Sequence, residues 1–241
     1  MPSGDGGVTV QFGEDISLAV NRRVRRLRAA VAAQPPLGLL ETVPTYRSLL
    51  VHYDPLITSW AEMVAALTRL LASVDALIDT PEADASGRRW VFPICFEGDD
   101  LAPDLGPVAD WAGLDREDVI ETLLSIEQIV YMIGFAPGQP YLGDLPESLA
   151  ISRRKRPVMG VPAGSVVIAD GKTVIYPFSN PTGWWIIGRT PARLFDVAAE
   201  RPTLLTPGDR VRFERTSRAE FDALVARAHD RAWAPTPEAT A

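Results

Sequence analysis

The sequence predicts an α+β protein of two parts: a small α/β unit followed by a β-rich barrel or sandwich. Three observations predict it. Strand and helix patterns alternate over the first 80 residues. A polar, aperiodic break, "PEADASGRR", follows at 81–89. Beyond it, short apolar runs recur between Pro/Gly turns, which is the spacing of a closed or stacked antiparallel sheet.

In the first part, "VTVQFG" (8–13) alternates as a strand. From Asp15 onward, Ile16, Val20, Val24, Leu27 and Val31 fall on one helix face, at spacings of three and four. Arg22, Arg23, Arg25, Arg26 and Arg28 occupy the other face, read as a solvated one. "LLETVP" and "SLLVHYD" are two strands joined through Pro44–Arg47. Ser59 and Glu62 form a capping box ahead of a second helix with Met63, Leu67 and Leu70 on its apolar face. "DALIDT" is expected to close the order β-α-β-β-α-β, a split-βαβ (ferredoxin-like) domain over residues 1–85.

The second domain is expected over 86–225. "WVFPICF" opens it as a strand, and Asp115 caps a short helix to Ser125. "VYMIGF", "GSVVIAD", "TVIYPF", "GWWIIGRT" and "DRVRFERT" supply further strands. "GFAPGQPYLGDLP" reads as a rigid irregular loop between them. Ser217 and Glu220 cap a final helix, and 226–241 is expected to be a tail, disordered over "APTPEATA".

Composition narrows the function. The chain has 241 residues, 46% hydrophobic and 23% charged, with net charge −7, a field that repels nucleic acid and acidic membranes. No apolar run approaches a membrane span, and no basic segment precedes an apolar one at the N-terminus, so a cytoplasmic location is expected. One cysteine, Cys95, and two histidines offer neither a disulfide nor an evident zinc site. Phosphate-loop, H-E-x-x-H, C-x-x-C and G-x-S-x-G motifs are all missing, and no self-contained catalytic constellation is visible.

Candidate binding groups concentrate between Gly134 and Arg189. Ala163-Gly164-Ser165 either cradles an oxygen or simply turns the chain. Arg189 ends the apolar strand "GWWIIGRT", so its guanidinium requires a partner, either an internal carboxylate such as Asp196 or a ligand.

"VPTYRSLLVHYDP", "YMIGFAPGQPYLGDLP", "RRKRPVMGVPAGSVVIA", "TVIYPFSNPTGWWIIGRTPARLFD" and "PGDRVRF" occur here in one order. That order resembles the family of allophanate hydrolase subunit 1, also known as the B component of 5-oxoprolinase. The family includes an inhibitor of a sporulation sensor histidine kinase and is related to the carboxyltransferase part of urea carboxylase. The resemblance spans about residues 5 to 216. It implies a cyclophilin-like β-barrel for the second domain, and a groove lined by Tyr141, Arg153, Arg154, Ser165, Lys172, Tyr176, Trp184 and Arg189. It also implies a carboxyltransferase-like partner (allophanate hydrolase subunit 2, or the C component of 5-oxoprolinase), a third, TIM-barrel-like subunit, and ATP as co-substrate. Lactam opening is the implied reaction, with arginines 153, 154 and 189 facing phosphate charge. Kinase inhibition and carboxyl transfer to a urea-like amide are the alternatives.

Against the family pattern, Leu123 stands in place of a His, Gln139 of a Phe and Lys172 of a Gln. Asn180-Pro181-Thr182-Gly183-Trp184 replaces S-P-G-G-W. These departures are expected to fall on the pocket rather than the scaffold, with Lys172 favouring a more anionic ligand.

Overall fold

The computed structural model describes residues 1–75 and 87–238. The chain divides into two compact units, Met1–Ser86 and Gly87–Ala241.

In the first unit, strands β1 (Gly7–Gln11), β2 (Leu39–Pro44) and β3 (Ser48–Tyr53) form an antiparallel sheet in the order β1-β3-β2. Helices α1 (Leu18–Ala33) and α2 (Trp60–Asp75) pack on it. Val24, Leu27 and Val31 of α1 meet Leu49 and Val51 of β3 and Met63 and Leu67 of α2 in one core. Ile16 is not part of that core. Ser17 caps α1, accepting a hydrogen bond from the Val20 amide, and so leaves Ile16 outside the helix and exposed. Asn21 is buried on the inward face instead, where its amide donates to the carbonyls of Thr45 and Tyr46. The Ser59–Glu62 capping box forms as its spacing requires. The strand expected at "DALIDT" lies outside the described residues apart from Asp75, which ends α2, so the described part of this unit is β-α-β-β-α.

The second unit contains β4 (Arg89–Ile94), α3 (Leu105–Ala112), α4 (Arg116–Ser125), β5 (Glu127–Ile133) and β6 (Pro140–Gly143). After these come β7 (Val158–Val161), β8 (Ser165–Ala169), β9 (Lys172–Ile175), β10 (Asn180–Thr182), β11 (Trp185–Arg189), β12 (Arg210–Arg215) and α5 (Arg218–His229). Seven strands form a curled sheet in the order β11-β8-β9-β6-β5-β12-β4, and β7 and β10 pair as a separate ribbon. Cys95, just past β4, and Arg189, the last residue of β11, exchange backbone hydrogen bonds of 2.9 and 3.0 Å, which brings the edges of the sheet together.

Successive strand residues point to opposite faces, and here both faces are covered. Phe92, Ile94, Val130, Leu142, Ile187 and Phe213 join Val108 of α3 and Val119 of α4 in the larger core. Val167, Val174, Tyr176 and Ile186 pack on the other face with Val161 of β7. Strand β8 is therefore buried throughout, and reads as a continuous apolar run.

Three features differ from expectation. Helix α3 was not anticipated; Gly106 and Pro107 sit in its first turn, where no backbone N–H needs a partner within the helix. The "GFAPGQPYLGDLP" loop holds strand β6 in its second half. At the C-terminus, α5 runs to His229 and the chain continues as an ordered segment. Trp233 packs on the larger core, and the Glu238 amide donates to the Arg89 carbonyl over 2.7 Å.

Candidate functional site

The eight expected groove residues separate into one cluster and four structural positions. Tyr141 (β6), Tyr176 (just past β9), Trp184 (just before β11) and Arg153 (the loop after β6) come together. Tyr141 and Trp184 meet edge to face, with ring centroids 6.3 Å apart. The Tyr176 hydroxyl donates to Thr182 Oγ1 at 2.7 Å, and that oxygen also accepts from the Trp184 amide at 2.8 Å. Arg153 Nη2 lies 3.5 Å from where a Cβ on Gly183 would stand. Burial pushes both phenols above their ordinary range; Tyr176 adds to the rise at Tyr141, while the Arg153 charge opposes it at each.

Arg154 turns the other way. It pairs with Asp104 and stacks 4.0 Å over the ring of Trp185, whose indole N–H donates to the Ser152 carbonyl at 2.8 Å. Asp104 also accepts from the Ile186 amide, and the Arg154 amide donates to the Gly183 carbonyl at 2.7 Å. This clamp fixes the backbone on both sides of Arg153 and leaves that side chain exposed, with no hydrogen bond or ion pair to the described residues.

Lys172 pairs with Asp144, which also accepts from the Tyr131 hydroxyl at 2.8 Å. The charge expected to meet an anionic ligand is therefore compensated internally. Ser165 is buried, and its carbonyl accepts from the Tyr176 amide.

Arg189 is half-buried at the seam of the sheet. Its Nε donates to the Ala163 carbonyl at 2.8 Å, and its guanidinium lies 5.8 Å from the Phe221 centroid. Burial lowers its pKa, and nearby Asp100 raises it in part. Asp196, considered as its partner from the sequence, instead meets Arg193 and Arg231.

Two further residues of the cluster lie outside the eight groove positions but at departures from the family pattern that were expected on the pocket. Thr182 accepts the hydrogen bond from the Tyr176 hydroxyl. Gln139, which is 2% exposed, lies beside Tyr141 and partly offsets the rise that burial causes in that phenol's pKa. For Gln139 the signal was its departure from the Phe of the family pattern. Leu123, expected on the pocket, packs fully buried in the larger core. Among the described residues no group of His, Cys, Asp and Glu is arranged to hold a metal ion, and no helix is long and apolar enough to cross a membrane.

The pattern of the carboxyltransferase domain, subdomain C and D family matches residues 1–205. The chain belongs to that family. It is 38% identical over 226 residues to the B component of 5-oxoprolinase from Bacillus subtilis, covering 91% of this chain and 93% of that one. A crystal structure of a conserved uncharacterized protein from Pyrococcus horikoshii is 39% identical, with TM-score 0.54, covering 91% of this chain and 98% of that one. The urea carboxylase of Kluyveromyces lactis shares the fold at TM-score 0.78 and 21% identity; the match covers 98% of this chain but 23% of that one.

Proposed function

We propose that this carboxyltransferase-family chain is one subunit of an ATP-dependent amide hydrolase of the 5-oxoprolinase type, and that its Tyr141–Arg153–Tyr176–Trp184 face forms one wall of the substrate groove. The observation that carries this reading is the 38% identity to the 5-oxoprolinase B component over nearly the full length of both chains.

The chemistry of the face fits a partial site. It offers a cation, two phenols and an indole, groups that bind and orient. Among the described residues it has no histidine: His52 lies in β3 of the first unit, and His229 is exposed near the end of α5. Cys95 is buried at the seam, and burial raises its thiol pKa, which disfavours the nucleophilic thiolate. The remaining groups come from a second, carboxyltransferase-like subunit, and a third subunit completes the complex. ATP is the co-substrate: a lactam carbonyl is a poor electrophile, and phosphorylating its oxygen activates it toward water.

The test is co-expression with candidate partner subunits and an assay of 5-oxoproline consumption with and without ATP, with allophanate as the comparison substrate. ATP-dependent formation of glutamate by the complex, absent for either subunit alone, is the expected result. An intact complex that turns over neither substrate refutes the reading.

A further inference from the structure

Strand β7 pairs with β10 along one edge, and its other edge is unpaired among the described residues. Its inner end is anchored, because Val161 packs with Val167, Val174 and Ile186. Its outer end is not. Val158 and Met159 point to opposite faces, as adjacent strand residues do, yet both are exposed, Met159 to 75%. Neither face of the ribbon is covered there by the described residues, and a bare two-stranded ribbon is marginal in water.

The run just before this strand is Arg153-Arg154-Lys155-Arg156. Arg154 is matched to Asp104. Arg153, Lys155 and Arg156 are exposed and make no ion pair with the described residues. Three like charges this close repel one another, although the chain as a whole carries net charge −7.

We infer that these cations and the outer end of β7 form a docking surface for the carboxyltransferase-like subunit, which meets it with an apolar patch rimmed by carboxylates. A small anion would use the cations and leave Val158 and Met159 bare; an acidic protein surface covers both. Continuity with the groove wall selects the subunit. Arg153 belongs to both surfaces. Strand β10, beside β7, ends at Thr182, whose hydroxyl oxygen accepts from the Tyr176 hydroxyl and the Trp184 amide. A protein seated on β7 is thus one strand away from the groove. The inference rests on the reading that a second subunit completes this groove, and it adds where that subunit docks.

The chain carries its own probes. Lys155 and Lys172 are its two lysines, and Lys172 is paired with Asp144. The test uses the full chain, free and co-expressed with candidate carboxyltransferase-like subunits. Amine acetylation read by mass spectrometry follows Lys155, and NMR of 13C-methyl methionine follows Met159. In the complex Lys155 loses most of its reactivity, Lys172 keeps its own, and the Met159 methyl resonance shifts. Lys155→Glu with Arg156→Glu weakens the complex about tenfold, the size of two exposed ion pairs turned into repulsions. The same change makes the affinity less sensitive to salt. Met159→Asp weakens the complex by a similar factor. Arg28→Glu with Arg69→Glu makes the same change of net charge at exposed helix positions of the first unit and leaves the affinity as it was. Circular dichroism identifies any variant that fails to fold, and protection of Lys155 in the parent needs no variant.

A complex in which Lys155 stays as reactive as in the free chain overturns the docking surface. So does an affinity that the Lys155/Arg156 and Met159 changes leave untouched, or that the control pair lowers equally. A protected Lys155 in a complex that turns over no substrate keeps the surface and removes the proposed reaction. Turnover by a complex with Lys155 unprotected does the reverse, and failure of the parent to bind any such subunit overturns the surface.

Discussion

Cys95 and Arg189 exchange two backbone hydrogen bonds and thereby join the edges of the seven-stranded sheet. The charge at the end of "GWWIIGRT" thus has a structural setting: the main chain of Arg189 closes the sheet, while its side chain reaches back to the Ala163 carbonyl.

Arg189→Ala keeps the main-chain closure and loses one charge-assisted hydrogen bond and the contact with Phe221. Its expected cost is about 1–2 kcal/mol, read from the denaturant midpoint, with turnover of the complex unchanged. A variant of normal stability whose complex no longer turns over substrate would instead place Arg189 in the groove.

Gly164 carries the turn beneath that seam. Its φ is +82°, and an added Cβ would stand 2.2 Å from the Thr190 carbonyl oxygen, a backbone atom that cannot yield locally. Gly164→Ala therefore combines left-handed strain with a steric clash, at about 2–4 kcal/mol. Gly160→Ala is the control, at a similar positive φ with open space around the missing Cβ. Its loss should be about 1 kcal/mol. Chemical denaturation of the two variants separates strain from collision.

What was legible in the sequence was local. The boxes at Ser59–Glu62 and Ser217–Glu220, and the cap at Asp115, depend on groups three residues apart, and they form as read. The β-rich second half was equally plain from its turns. The site was legible only in part, because its decisive contacts are distant in sequence. Asp104 meets Arg154 across fifty positions, and no periodicity records that pairing. Adjacent Arg153 and Arg154 look interchangeable in "SRRKRP", yet one is clamped and the other is unpartnered among the described residues. Gln139 gave a signal as a departure from the family pattern, but its neighbour Tyr141 stands out only once β6 places it beside Trp184.

The Asp104–Arg154 pair is largely buried, so removing one partner leaves the other charge without compensation. Asp104→Ala is expected to cost about 3 kcal/mol or more. Asp104→Ala combined with Arg154→Met should cost less than the sum of the single changes. A double-mutant cycle by urea denaturation measures the coupling. Because the clamp anchors the loop of Arg153, the single Asp104 variant should also lose turnover in the complex, even though Asp104 is no part of the proposed groove wall.

Tyr141 and Tyr176 predict a pH dependence of stability with a definite sign. Burial raises both phenols in the folded chain above the ordinary value of 10.0, so the native state retains protons that the unfolded chain releases. Stability then falls as pH rises, because the unfolded state binds fewer protons. The loss begins near pH 10 and continues up to the folded-state values; below that window both states are protonated and the two phenols contribute no slope. Denaturant midpoints between pH 9 and 11.5 should decline for the parent and flatten in Tyr141→Phe with Tyr176→Phe. A parent and a double variant with the same slope would mean that neither phenol is desolvated enough to matter.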